Sequence, residues 1–181
     1  SDEVGYVHLY QFAGDCATQF ESALKSMVEQ GAKGLVLDLR DNPGGWVNDA
    51  VSIADHFLDK GIVCYMEYKD GTREYEYSKD GKENLALVVL VNEFSAALQD
   101  RADATVVGVQ SYGKGIVQYV LPVGTDGAGM QLTVAQYYTP NGNAVHKIGI
   151  TPDVEIALPE GDNGMYELGD LADPQLNKAF E

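Results

Sequence analysis

The stretch Ser111-Tyr112-Gly113-Lys114-Gly115-Ile116-Val117-Gln118 concentrates residue types that could do chemistry. Glycine accepts positive φ and close approach of another chain, so a lysine between two glycines predicts a tight turn that presents one amine. The alternating run at 116–121 predicts a strand. Alternate residues share a strand face, which places Lys114 beside Gln118. An amide there is a neutral hydrogen-bonding partner able to orient an amine acting as a base. Two plainer readings compete. One is a solvated turn lysine. The other is a phosphate loop, because Gly108 to Lys114 fits G-x-x-x-x-G-K. That motif requires Ser or Thr next and then a helix; Gly115 and a strand follow instead, so the phosphate reading fails.

A second constellation is Asp41-Asn42-Pro43-Gly44-Gly45. It follows an apolar run at 34–40 that predicts a buried strand, and precedes a helical pattern of Val47, Ala50, Val51, Ala54, Phe57 and Leu58. Strand, Gly-Gly turn and helix together aim backbone N–H groups at one point, which suits an anion or a developing oxyanion. The plain alternative is a βα turn that simply needs two glycines. His8, His56 and His146 are scattered, and their spacing assembles neither a Ser-His-Asp set nor a metal site. Cys16 and Cys64 form no C-x-x-C; free buried thiols are expected, with one disulfide left open.

The elements that must position these residues follow in order. A strand is expected at 4–10. A helix comes next, with Thr18-Gln-Phe-Glu21 as a capping box, Phe20, Leu24, Met27 and Val28 on one face, and Gly31 as its stop. Segments 62–68 and 72–77 flank an Asp-Gly turn and predict a hairpin that projects as an arm or cap over 62–82. Core strands are expected at 86–91 and 105–109. A second hairpin joins 116–121 to 130–138 across a glycine-rich loop, and a short helix falls near 173–180 in a Pro- and acid-rich tail at 152–181. Alternating strands and helices indicate one α/β domain with helices over a mostly parallel sheet.

The chain has 181 residues, enough for one substantial core. A net charge of −16 argues against nucleic acid and anionic membrane surfaces as partners. No apolar run approaches the roughly 20 residues of a membrane span.

Five ordered segments then resemble the C-terminal processing peptidases, or tail-specific proteases: GYVHLYQF, GLVLDLRDNPGG, VVLVNEFSA, VVGVQSYGKGIVQ and YYTPNGNAVHKIGITPDVEI, followed by the ending DPQLNKAFE. The resemblance implies a serine endopeptidase with a Ser–Lys dyad, acting without a cofactor on polypeptides selected by their C-terminal tails. Lys114 matches the general base and Gln118 the glutamine that positions it, while Gly44 and Gly45 match the oxyanion turn. The implied fold is a crotonase/Clp-protease-like spiral core with a hairpin cap. An extracytoplasmic location in a bacterium is implied too, and a homo-oligomer is left open. The family's PDZ domain is not in this sequence.

The dyad has its own logic. Serine attacks poorly until a base takes its proton, and a lysine serves as that base only when neutral. Dry surroundings disfavour the ammonium, whereas a carboxylate neighbour would hold it protonated. The match breaks at the nucleophile. Val91-Asn-Glu-Phe-Ser95-Ala96 opens the serine motif and Ala97-Leu-Gln-Asp100 resumes at the helix end. About eight residues are missing between Ala96 and Ala97, and the 92–104 link is at the lower limit of the about twelve that a parallel crossover needs. Omission from the sequence, excision and a natural pseudo-peptidase are the three explanations. The chain as given would be inactive in each. Ser95 is the serine left in the motif, although an N-cap role suits it better. The alternative function is a non-catalytic peptide-binding or scaffold domain on the same fold.

Overall fold

A computed structural model describes residues 3–79, 81–92, 104–123, 128–162 and 166–181. Strand β1 (Val4–His8), helix α1 (Cys16–Glu29), strand β2 (Gly34–Asp38) and helix α2 (Val47–Asp55) come first. The hairpin β3 (Gly61–Tyr68) and β4 (Arg73–Ser78) follows, then β5 (Ala86–Val91) and β6 (Ala104–Gly108). A second hairpin, β7 (Ile116–Val123) and β8 (Ala128–Tyr138), precedes β9 (Val154–Glu155) and helix α3 (Pro174–Ala179).

The strands form two sheets. One has five strands in the order β1-β2-β5-β6-β9, all parallel; the other has four in the order β4-β3-β8-β7, all antiparallel. Parallel strands need both faces covered, which is why β5 and, up to Asp38, β2 are apolar. Leu35, Leu37, Leu87, Val89 and Val106 face Phe20, Leu24, Ile53 and Phe57 of the α1–α2 side. Val36, Leu90 and Val107 face the opposite way, onto Leu176 and Ala179 of α3.

Asp38 lies on the α3 side and is 1% exposed. Arg40 neutralises it, donating from Nη2 to Asp38 Oδ2 at 2.6 Å and from Nη1 to Asp173 Oδ2 at 2.5 Å. Asp173 Oδ1 in turn accepts from the N–H groups of Gln175 and Leu176 and so caps α3. One guanidinium therefore ties the carboxyl end of β2 to the last helix. A buried charge held this way strands its partner if it is removed.

Several elements differ from the sequence expectations. Helix α1 begins at Cys16 with Asp15 as N-cap and no side-chain cap, so Thr18 lies within the first turn and no capping box forms. Helix α2 ends at Asp55, with Phe57 and Leu58 buried in the turn beyond it. The 62–77 hairpin does not stand alone, because β3 pairs with β8 and joins both hairpins into one sheet. The tail contributes a strand, β9, beside β6. Cys16 and Cys64 are free and half-buried.

Asp173→Ala removes both the cap and one of the two carboxylate partners of Arg40, and should cost about 3–5 kcal/mol in urea unfolding. Lys178→Ala, whose partner is the exposed Glu181, should change stability by no more than about 0.5 kcal/mol. Equal, small effects from the two would show that the network is not holding α3.

Candidate active site

The parallel strands β2 and β5 end together, and the Asp41–Gly45 turn leaves from that edge. Its path is fixed by backbone contact. The Phe12 N–H donates to Gly44 O at 3.1 Å and the Trp46 N–H to Phe12 O at 2.7 Å, bracketing Gly45 in a parallel bridge. Gly45 has φ +150°, and a Cβ there would lie 2.0 Å from Phe12 O. Only glycine fits. Asn42, 2% exposed, donates to Leu9 O at 2.7 Å and accepts the Gly44 N–H at 2.8 Å. The two glycines are thus unequal. Asn42 occupies the Gly44 N–H, while the bridge leaves the Gly45 N–H pointing away from Phe12 and unbonded among the described residues.

Lys114 is the centre of a tight turn in which the Gly115 N–H donates to Gly113 O at 2.9 Å. Segment 145–149 passes directly beneath. A Cβ on Gly113 would stand 2.4 Å from Gly149 N, and one on Gly115 would stand 2.5 Å from His146 N. The Lys147 N–H donates to Gly113 O at 2.8 Å and closes the contact. Nearby, Ser111 is buried with its Oγ accepting the Ile150 N–H at 2.7 Å, which makes it a structural serine.

Lys114, Gln118, Gly44 and Gly45 all line one cavity of about 1090 Å³. It lies between α2 and the face of the antiparallel sheet that carries Cys64, Met66 and Tyr137. Burial, and after it the charge of Glu76, pushes the Cys64 thiol up to about 11. Burial likewise pushes the Tyr137 phenol up.

Two expectations about the lysine are not met by the described residues. Lys114 is exposed, so they do not supply dry surroundings, and no hydrogen bond or ion pair among them holds its amine. Nor does Gln118 reach it. The Gln118 amide donates to Thr133 Oγ1 at 3.3 Å and accepts from Gln131 Nε2 at 2.9 Å. The register shift opposite Val117 and Gln118 places an extra residue, Val134, on β8. Ser95, and the expected break between Ala96 and Ala97, lie outside the described residues. Thr133, Gln131 and the Asp41–Asn92 pair went unnoticed in the sequence, because each contact joins distant segments and no local spacing announces it. Among the described residues, no group of three or more His, Cys, Asp or Glu could hold a metal ion.

The pattern described as Peptidase family S41 matches residues 3–156. The chain is 39% identical over 165 residues to a carboxyl-terminal-processing protease of Synechocystis sp., covering 86% of this chain and 38% of that protein. It is 40% identical over 179 residues to a carboxy-terminal-processing protease of Bartonella bacilliformis, covering 90% and 41%. Among solved structures, the photosystem II D1 C-terminal processing protease superposes with a TM-score of 0.76 at 33% identity, over 84% of this chain and 42% of that one. The chain therefore spans about two fifths of the length of these relatives. It belongs to peptidase family S41, in the branch whose members are named C-terminal processing proteases.

Proposed function

We propose that this chain is the peptidase core of a serine endopeptidase that cuts polypeptides selected by their C-terminal tails. Lys114 is its general base and the Gly45 N–H an oxyanion donor, with Gly44 shaping the turn. The observation that carries this is the convergence of Lys114 and the Gly44–Gly45 turn on one cavity, each held there by backbone contacts that only glycine permits. Gln118 lines the same cavity, with its amide held by Thr133 and Gln131.

The attacking serine belongs to a segment between Ala96 and Ala97 in the intact protein. In support, the Synechocystis alignment runs over 165 positions yet covers only 86% of the 181 residues, so that relative carries positions without a counterpart here. The missing segment would also supply the dry wall that Lys114 lacks. Substrate enters as an added strand along the outer edge of β7, whose first residues line the cavity. Its site of action in this reading is outside the cytoplasm of a bacterium, as the family resemblance implies; one relative, from Arabidopsis thaliana, is named as chloroplastic.

A second reading has an observation of its own. An exposed Lys114 without a hydrogen-bonding partner among the described residues suits a domain that grips peptides without cutting them. Intact mass separates the two: extra residues between Ala96 and Ala97 with a serine that reacts with a fluorophosphonate mark the enzyme, and a contiguous 181-residue core that cannot react marks the binder.

In the intact protein, Lys114→Ala should reduce casein cleavage by at least about 10³-fold, as expected for loss of the base that activates the nucleophile. Gln118→Ala should cost less, about tenfold, because Gln118 lines the cavity without transferring a proton. Wild-type cleavage by the lysine variant would remove Lys114 from the mechanism. Cys64 offers a readout of occupancy. With its thiol pushed up to about 11, only a small thiolate fraction exists at pH 8, so iodoacetamide should label it far more slowly than free cysteine, faster as pH rises, and more slowly again with peptide bound. Labelling indifferent to saturating peptide would place the substrate elsewhere.

A further inference from the structure

The geometry points to Asn92 as a positioning residue for the oxyanion turn, acting through a reciprocal clasp on Asp41. The inference deepens the proposed function and rests on its assignment of Gly45 as oxyanion donor. Asn92 Nδ2 donates to Asp41 Oδ1 at 2.8 Å, and the Asp41 N–H donates to Asn92 Oδ1 at 3.0 Å. The pair sits where two neighbouring parallel strands stop. Just before it the Leu39 N–H donates to Leu90 O at 3.0 Å. The first of the two strands then leads into the Gly44–Gly45 turn. The side chain of Asn92 imitates a peptide group, donating to and accepting from the residue that opens the glycine turn.

Backbone conformation and exposure argue for a positional role. Asp41 has φ +59°, a conformation that non-glycine residues adopt rarely and that persists when surrounding contacts impose it. Both hydrogen bonds lie at the surface, where such bonds contribute little net stability. From the β1 side the turn is pinned by Asn42 and the Phe12–Gly45 bridge. The clasp pins it from the β5 side. Loss of that pin lets Gly45 drift relative to the β5 end, and displacements of about 1 Å in such a constellation cost about 10²-fold in rate.

The test is a polarity swap in the intact protein. Asn92→Asp sets a carboxylate against the Asp41 carboxylate and breaks the clasp. Adding Asp41→Asn reverses donor and acceptor and restores it, since the new amide donates to the new carboxylate and the residue 41 N–H keeps its acceptor. With fluorescein-casein, Asn92→Asp should lower kcat by at least about tenfold, change KM less than about threefold, and slow fluorophosphonate inactivation in parallel. Thermal unfolding should move by only a few degrees. The double variant should recover to within about threefold of wild type. Wild-type kcat in Asn92→Asp, no recovery in the swap, or a loss matched by global unfolding overturns the inference. Lys114→Ala run alongside separates the two claims: an active lysine variant sinks the dyad, whereas an inactive one with an unaffected Asn92→Asp sinks the clasp alone.

Discussion

Two backbone crossings, each closer than a side chain would allow, set the geometry on which everything else depends. Gly45 lies against the Phe12 carbonyl, and Gly113 lies over the 145–149 segment. At these points no side chain fits, because a single added carbon would fall within 2.4 Å of a backbone atom. The turn that carries Gly45 and the turn that carries Lys114 therefore face a common cavity from fixed positions. The helices and sheets serve mainly to bring those crossings about.

How the rest of the fold supports them is a matter of two-sided burial and one charge network. The central strands β2 and β5 bury apolar residues on both faces, against α1 and α2 on one side and α3 on the other. At the edge where the glycine turn departs, Arg40 binds the buried Asp38 and the cap of α3 through Asp173. The C-terminal helix is thereby connected to the active-site edge by charge as well as by packing. The second sheet supplies the cavity's far wall, and it can do so because β3 pairs with β8 and fuses the two hairpins.

Much of this was legible in the residues. The apolar runs at 34–40 and 86–91 announced buried parallel strands, since an exposed face would have demanded alternation. Gly-Gly after the first of them and Gly-Lys-Gly after the strand ending at Gly108 announced tight turns. What failed did so for physical reasons. Thr18 and Glu21 have the capping spacing, yet tertiary packing of α1 starts the helix at Cys16. Gln118 was expected beside Lys114 from strand parity, and its amide instead bonds across the hairpin to Thr133 and Gln131, contacts that parity along one strand does not reveal. Strand β9 is two residues long and owes its existence to pairing with β6, which nothing local in a Pro- and acid-rich tail can signal. The surroundings of Lys114 were expected to be dry, and the described residues leave it exposed.

The position of the lysine amine relative to a serine oxygen is the direct measure of the proposed chemistry. A crystal structure of the intact protein, with its serine phosphonylated and a peptide-like group in the cavity, would give it. The Ser–Lys mechanism requires Lys114 Nζ within hydrogen-bonding distance, about 3 Å, of the serine Oγ, and the Gly45 N–H at a similar distance from the phosphonyl oxygen. A Lys114 amine left in bulk solvent or paired with a carboxylate in that structure would rule the mechanism out.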